Sequence, residues 1–427
     1  MKQKLLWWTI IIAFLPMMIF RDFTPDNEAR YLSIADEALR NGLFFSFTLH
    51  GQPYADKPPF YFWLVMACRQ LFGCHSMLAL SMLSFLPAVG VVKVMNDWTR
   101  DSMSALYRGV AALMLFTTVY FAGATAVVRM DMLMCLFIVL ALRSFWRLYA
   151  SPHVLRSEQW LMGVWLFMAL FTKGPLGLLI PLFCTLVFLL FNHRWRAIGR
   201  LWNWRTWAIL VIGCVGWLSM TYYESGGDYL YNLVFHQTVD RSINSFHHAH
   251  AFYYYLISLW YEWLPWSFLC VGGIIWTVLR RQYLGEVYRF FFCIVITTLI
   301  LLSCISSKLQ IYLLPAIPFV IYLSASIIEP CKDSRWVLWA LAIPEAVLML
   351  SLPALLVAQH MVTLPLLRLP LIVVAAAVLS LFAAGSLYRL VAKKSVVISI
   401  QILGYGVLAV LFVVGWAMPM INPYIVK

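Results

Sequence analysis

A stretch near the start, DFTPDNEARYLSIADEALRNGLFFSFTLHGQPYADKPPFYF at residues 22–62, gathers Asp22, Asp26, Glu28, Arg30, Asp36, Glu37, Arg40, Asp56 and Lys57. The chain holds only 18 Asp plus Glu in 427 residues, so this concentration is no chance surface loop. Carboxylates in such a group suit general-base work or metal ligation, and cations beside them suit a phosphate or pyrophosphate. Further along, single charges stand at the ends of apolar runs: Asp131 after Arg129-Met130, Lys173 before Gly174-Pro175, and Lys308 after Ser306-Ser307. Charges so placed are costly unless they face a cavity, which makes each a candidate functional residue. Lys57, Lys173, Arg241 and Lys308 beside Asp26, Glu28, Asp56 and Asp131 could hold a phosphate headgroup and supply a base. The run 224–255 adds His236, His247, His248 and His250, and histidine beside a carboxylate also suits a divalent metal, although HHAH has no diagnostic spacing.

The elements that must position these residues are membrane helices. The chain is 63% hydrophobic and 11% charged, with a mean hydropathy of +0.83, which excludes a soluble domain of this length. Long apolar runs without period-two alternation read as helices and exclude a barrel. The net charge of +13 would suggest nucleic acid in a soluble protein. Here it fits basic cytoplasmic loops and anionic lipid. Nine scattered cysteines with no CxxC pair read as small core residues, neither a disulfide framework nor a zinc knuckle. The N-terminal MKQKLLWWTIIIAFLPMMIF is expected to be an uncleaved first span, because no small-residue cleavage site follows it.

Thirteen spans are expected, near 5–20, 77–95, 106–124, 131–149, 160–172, 175–191, 206–223, 256–279, 288–304, 309–328, 336–358, 365–390 and 396–418. The aromatic piece 58–73 reaches only about 24 Å, short of the roughly 30 Å hydrocarbon core, and carries Arg69, so it is read as lying on the membrane. That choice puts most of the 31 Lys and Arg in inner loops, with the N-terminus inside and the C-terminus outside. The chain is then one integral-membrane domain over 1–427. Its first outer loop, 21–76, carries the chemistry, and a second substantial outer loop spans 224–255. Blander roles suit other residues: Arg69 and Glu262 as snorkelling or paired helix-end groups, Tyr253-Tyr254-Tyr255 and the tryptophans as an interface belt, and His236 and His247 as solvated loop residues.

PDNEARYLSIADEAL followed by GQPYADKPPFYFWL resembles the first outer loop of the GT-C glycosyltransferases of families 39 and 83, which include lipid A aminoarabinose transferases and protein O-mannosyltransferases. The ordered set continues with Arg129-Met130-Asp131, Lys173-Gly174-Pro175, His248 before Phe252-Tyr253, Leu264-Pro265-Trp266, and Lys308 with Tyr312, Pro315 and Pro318, covering most of 22–320. The chain departs from the pattern at Asn27, where the family has Asp, with Asp26 one position earlier and Glu28 retained. The large outer C-terminal domain of many relatives is also expected to be missing.

The resemblance implies an all-α polytopic membrane enzyme of the GT-C type, moving a sugar from a polyprenyl-phosphate carrier to a lipid A, glycan or protein acceptor. It implies catalytic roles for Asp26, Glu28, Asp56, Lys57 and Asp131, and phosphate or sugar binding by Arg30, Tyr31, Lys173, Arg241, Lys308 and Tyr312. A divalent cation (Zn, Mg or Mn) at Asp56 and His248 is implied as well. The expected setting is a bacterial inner membrane with the site facing the periplasm, among membrane lipids and without nucleic acid. An O-antigen ligase or polymerase shares the donor class but places its key arginines in a late outer loop. A flippase or transporter of the lipid-linked sugar would show internal inverted repeats and broken helices at the membrane midplane; neither is read from the sequence, and the candidate charges cluster at one face.

Overall fold

The computed structural model describes residues 3–234, 250–280 and 285–425. Its helices in order are α1 (Gln3–Phe20), α2 (Arg30–Asn41), α3 (Phe60–Phe72), α4 (Met77–Trp98), α5 (Ala105–Thr117), α6 (Val119–Ala126), α7 (Asp131–Ala150), α8 (Arg156–Lys173), α9 (Leu176–Phe191), α10 (Ile198–Leu201) and α11 (Trp204–Tyr231). They continue with α12 (Tyr254–Glu262), α13 (Ser267–Leu279), α14 (Glu286–Cys304), α15 (Ile317–Cys331), α16 (Arg335–Met349), α17 (Ser351–Met361), α18 (Pro370–Lys393) and α19 (Val396–Ile425). A two-stranded hairpin, β1 (Thr48–Leu49) and β2 (Gln52–Pro53), pairs Thr48 with Pro53 and Leu49 with Gln52 inside the first outer loop.

This is an all-α, multi-pass membrane protein. Among the described residues seven helices are long and apolar enough to cross a bilayer, or ten if three bent pairs each make one span. The count of thirteen is not reached by that criterion. Several packed helices fall below it for a physical reason: α9 and α13 are short, and α8 carries Arg156, Glu158 and Lys173 at its ends. Helix α3 runs 13 residues, about 20 Å, too short to span and packed against α2.

Burial separates a centre from a rim. Within an 18-residue apolar window of Gln310–Cys331 83% of the residues are buried and within that of Asp131–Ala150 67%, whereas the windows of Trp204–Val234 and Pro370–Lys393 each have only 17% buried and form the outer wall. Helices α5 and α6 meet at a 69° bend, where Val119 N donates to Leu264 O at 2.9 Å and joins the bend to the Leu264-Pro265-Trp266 corner. Gly174, at φ +104, allows the turn between α8 and α9. A Cβ at Gly177 would come within 2.4 Å of the Ala169 backbone, so only glycine lets α9 close on α8 there.

Candidate active site

The first outer loop is fixed from within by a buried ion pair. Arg21 donates to both oxygens of Glu28, Nη1 to Oε2 at 2.6 Å and Nη2 to Oε1 at 2.7 Å, and the two side chains are 8% and 1% exposed. Glu28 also accepts from Thr24 N (2.8 Å), Thr24 Oγ1 (3.1 Å) and, 100 residues away, Val128 N (2.6 Å). Burial pushes its carboxyl up, but the Arg21 hydrogen bonds and charge, with the Thr24 and Val128 amides, outweigh that and hold it below the usual carboxylate range. Glu28 thereby ties the loop to the segment that delivers Arg129 and Asp131. Ser84 Oγ holds the same segment by donating to Val127 O at 2.6 Å.

Asp131, at the N-terminus of α7, is 1% exposed and lies between two cations. Lys173 Nζ donates to Oδ1, and Arg129 Nε donates to Oδ2 at 3.0 Å. A carboxylate at a helix N-terminus also meets the favourable end of the helix dipole. Lys173 closes α8 immediately before Gly174, and its ammonium stands 4.7 Å from the centre of the Tyr312 ring.

Beside this cluster opens a cavity of about 330 Å³. Asp56, Lys57, Lys173, Ser307 and Tyr312 form its polar side, and Leu176, Leu179, Trp217, Leu218, Leu233 and Val234 contribute the apolar wall. Pro58 stands beside Lys57 on the lining, where the Pro58-Pro59 pair precedes α3. Residues far apart in sequence, from the first outer loop, α8, α11 and the turn before α15, are thus brought to one charged, amphipathic space.

The other described candidates are not on the lining of this space. Asp26 is exposed on the π-helical turn Pro25–Ala29. Arg30 Nη2 donates to Asn27 Oδ1 at 3.1 Å, so the Asn at the family's Asp position is occupied by an arginine. Tyr31 is buried edge-on against Tyr61 and Phe62. Lys308, 3% exposed, donates to two carbonyls, Ile305 O at 2.6 Å and His250 O at 3.1 Å. Arg241 and His248 lie outside the described residues. Among those described, no three His, Cys, Asp or Glu side chains gather in a metal-sized group.

Two residues emerge from the geometry that charge counting had not singled out. Arg21 is the first charge after α1, which is a signal, but nothing in the sequence names Glu28 as its partner. Arg129 had been noted only as part of a motif, and it is one of the two cations on Asp131.

No family model matches the chain. Among curated proteins it is similar to the undecaprenyl phosphate-alpha-4-amino-4-deoxy-L-arabinose arabinosyl transferase 1 of Pseudomonas fluorescens (strain Pf0-1), 25% identical over 343 residues, covering 76% of this chain and 58% of that protein. The corresponding transferase of Shewanella sediminis (strain HAW-EB3) is 26% identical over 330 residues, covering 76% and 59%. The chain thus spans less than two thirds of the length of these relatives. Among solved structures, ArnT from Cupriavidus metallidurans bound to undecaprenyl phosphate superposes with a TM-score of 0.82 over 98% of this chain and 77% of that one, at 20% identity. The apo form of the same protein gives 0.79. The resemblance read from the motifs is borne out: the chain is similar in sequence to aminoarabinosyl transferases over three quarters of its length, and its fold is the GT-C membrane fold of ArnT.

Proposed function

We propose that this chain is a glycosyltransferase that moves a sugar from a polyprenyl-phosphate carrier to an acceptor at the outer face of a bacterial inner membrane. The observation that carries this reading is the cavity in which Lys57 and Lys173 stand over an apolar wall, a shape suited to a phosphate on a prenyl chain. The relatives named above act on undecaprenyl phosphate-linked aminoarabinose, and ArnT binds undecaprenyl phosphate, which supports the same donor class. The bias of Lys and Arg toward the loops expected inside supports an outward-facing site, an inner N-terminus and a thirteen-span count.

Cleavage of the sugar–phosphate bond releases the carrier as an anion, which needs cations rather than a general acid. Lys57 and Lys173 would supply the charge at the phosphate, and the buried Asp131 would hold Lys173 in place without solvent reorganisation. Lys308, whose carbonyl partners leave its charge unneutralised by them, and Arg241 are proposed to extend this basic side. Glu28 accepts five hydrogen bonds, so of the two carboxylates beside Asn27 the exposed Asp26 is the one left to take a proton from an acceptor hydroxyl. An acceptor phosphate would arrive already ionised and would need no such base. Asp56 is assigned to orienting the sugar at the cavity wall. His248 remains its proposed partner should a divalent metal be required.

The test uses purified protein with a panel of undecaprenyl-phosphate sugars and an acceptor extract, following release of free polyprenyl phosphate. Release that requires acceptor and falls at least tenfold in Asp56→Ala and Lys57→Ala would establish the transferase. Movement of intact lipid-linked sugar across proteoliposomes with no release would overturn it in favour of a transporter.

A further inference from the structure

The outer end of α11 grips the first outer loop through Glu224 and Ser225, just before the helix breaks at Gly226 (φ +77), and through Tyr229, just after the break. Phe44 N donates to Glu224 Oε1 at 2.7 Å, while Phe45 N (2.8 Å), Ser46 N (2.5 Å) and Ser46 Oγ (2.6 Å) all donate to Oε2. Three successive amides converging on one carboxylate form an anion-holding nest. Ser225 Oγ donates to Ser46 Oγ at 2.5 Å. Tyr229 Oη accepts from Phe47 N at 3.0 Å and donates to Tyr54 O at 2.8 Å. Asp56 and Lys57, which line the cavity, stand two and three residues after Tyr54. The same α11 segment also lines that cavity, through Trp217 and Leu218 before the grip and Leu233 and Val234 after it. Ala55 packs with Tyr229 and Leu233, so the loop and the helix end close around the space together. Glu224 itself is not on the cavity lining.

We propose that Glu224 is a positioning residue: by seating the first outer loop on α11, it sets the place of Lys57 for the phosphate of a prenyl-phosphate ligand. This assignment rests on the donor reading given above. A carboxylate is required there because only an acceptor-only group meets four converging donors. A glutamine would turn an NH₂ toward part of the same array.

The loop contains its own matched control. Glu37 of α2 accepts from Thr48 Oγ1 (2.7 Å), His50 N (2.6 Å) and Gly51 N (3.3 Å), stabilising the hairpin turn from the other side with no tie to α11. If Glu224 served only the integrity of the loop, losing either carboxylate would have the same effect on ligand binding.

The experiment measures binding of undecaprenyl phosphate to the full chain in nanodiscs. Glu224→Gln should weaken binding at least tenfold, Glu224→Asp should recover part of the loss, and Glu37→Gln should change it less than twofold. In a Lys57→Ala background, Glu224→Gln should add no further loss, because the two act through one contact. Equal weakening by Glu37→Gln and Glu224→Gln, or losses from Lys57→Ala and Glu224→Gln that multiply, would overturn the assignment alone. Absence of binding by the unsubstituted protein would overturn the donor reading and this assignment with it.

Discussion

Glu28 and Asp131 are both buried carboxylates, each held by an arginine close in sequence, yet their surroundings differ. Every hydrogen bond Glu28 accepts comes from a group that also belongs to the scaffold: Arg21, Thr24 and Val128. Asp131 shares its charge with Lys173, and Lys173 also lines the cavity. The first is a clamp, because its cation faces only protein. The second belongs to the proposed site, because its cation is held in place while still lining a space that a ligand would fill. Burial and pairing alone do not separate these cases; where the cation's remaining surface points does.

Lys173→Ala breaks the second arrangement most severely. It removes a cation proposed to meet the leaving phosphate and leaves Asp131 buried with one partner. Release of polyprenyl phosphate should fall on the order of 10²–10³-fold, measured by single-turnover assay, and Lys173→Arg should retain more of it than Ala.

Glu28→Gln tests the clamp. Arg21 would stay buried without its counter-charge, costing about 3–5 kcal/mol of stability, read as a lower unfolding temperature in detergent. Release per folded molecule should change less than threefold. The pH dependence sharpens the contrast. Because the folded carboxyl is held below its unfolded value of about 4.3, its stabilisation is full above that pH and is lost as pH falls through the folded value. Acid unfolding should therefore be shallower in Glu28→Gln than in the unsubstituted protein. An equally steep acid transition in both would reject the clamp.

Asp26→Asn reports the acceptor through the size of its effect. With an acceptor phosphate the rate should change less than threefold, whereas a hydroxyl acceptor should lose on the order of 10²-fold. Both are read from initial rates at saturating donor.

Much of this was legible in the sequence. Apolar composition without period-two alternation requires helices, because a backbone in lipid can satisfy its polar groups only within a helix or a closed barrel, and the resemblance at Asp56-Lys57-Pro58-Pro59, Asp131 and Lys173 marks residues that the fold brings to one cavity or its edge. The division of labour among carboxylates was not legible. Asp26 and Glu28 are two residues apart and alike in charge, but one is exposed and the other accepts five hydrogen bonds, four from Arg21 and Thr24 and one from Val128 in another part of the chain. Lys308 reads as a free cation in sequence, and only the turn around Ile305 and His250 shows its protons directed at carbonyls. Glu224 carries no local signal, since its four donors are some 180 residues earlier. The span count exceeded what helix length supports because apolar runs such as 175–191 fold into short packed helices.

One wall of the cavity belongs to α11, in whose apolar window only 17% of the residues are buried. For a ligand with a prenyl tail, such a wall makes the surrounding leaflet the route of approach, so encounter is two-dimensional diffusion. The relevant concentration is then the mole fraction of carrier among the lipids, not its amount per volume of buffer. Diluting the carrier with inert phospholipid at constant total carrier should slow turnover, and adding buffer to the same vesicles should not.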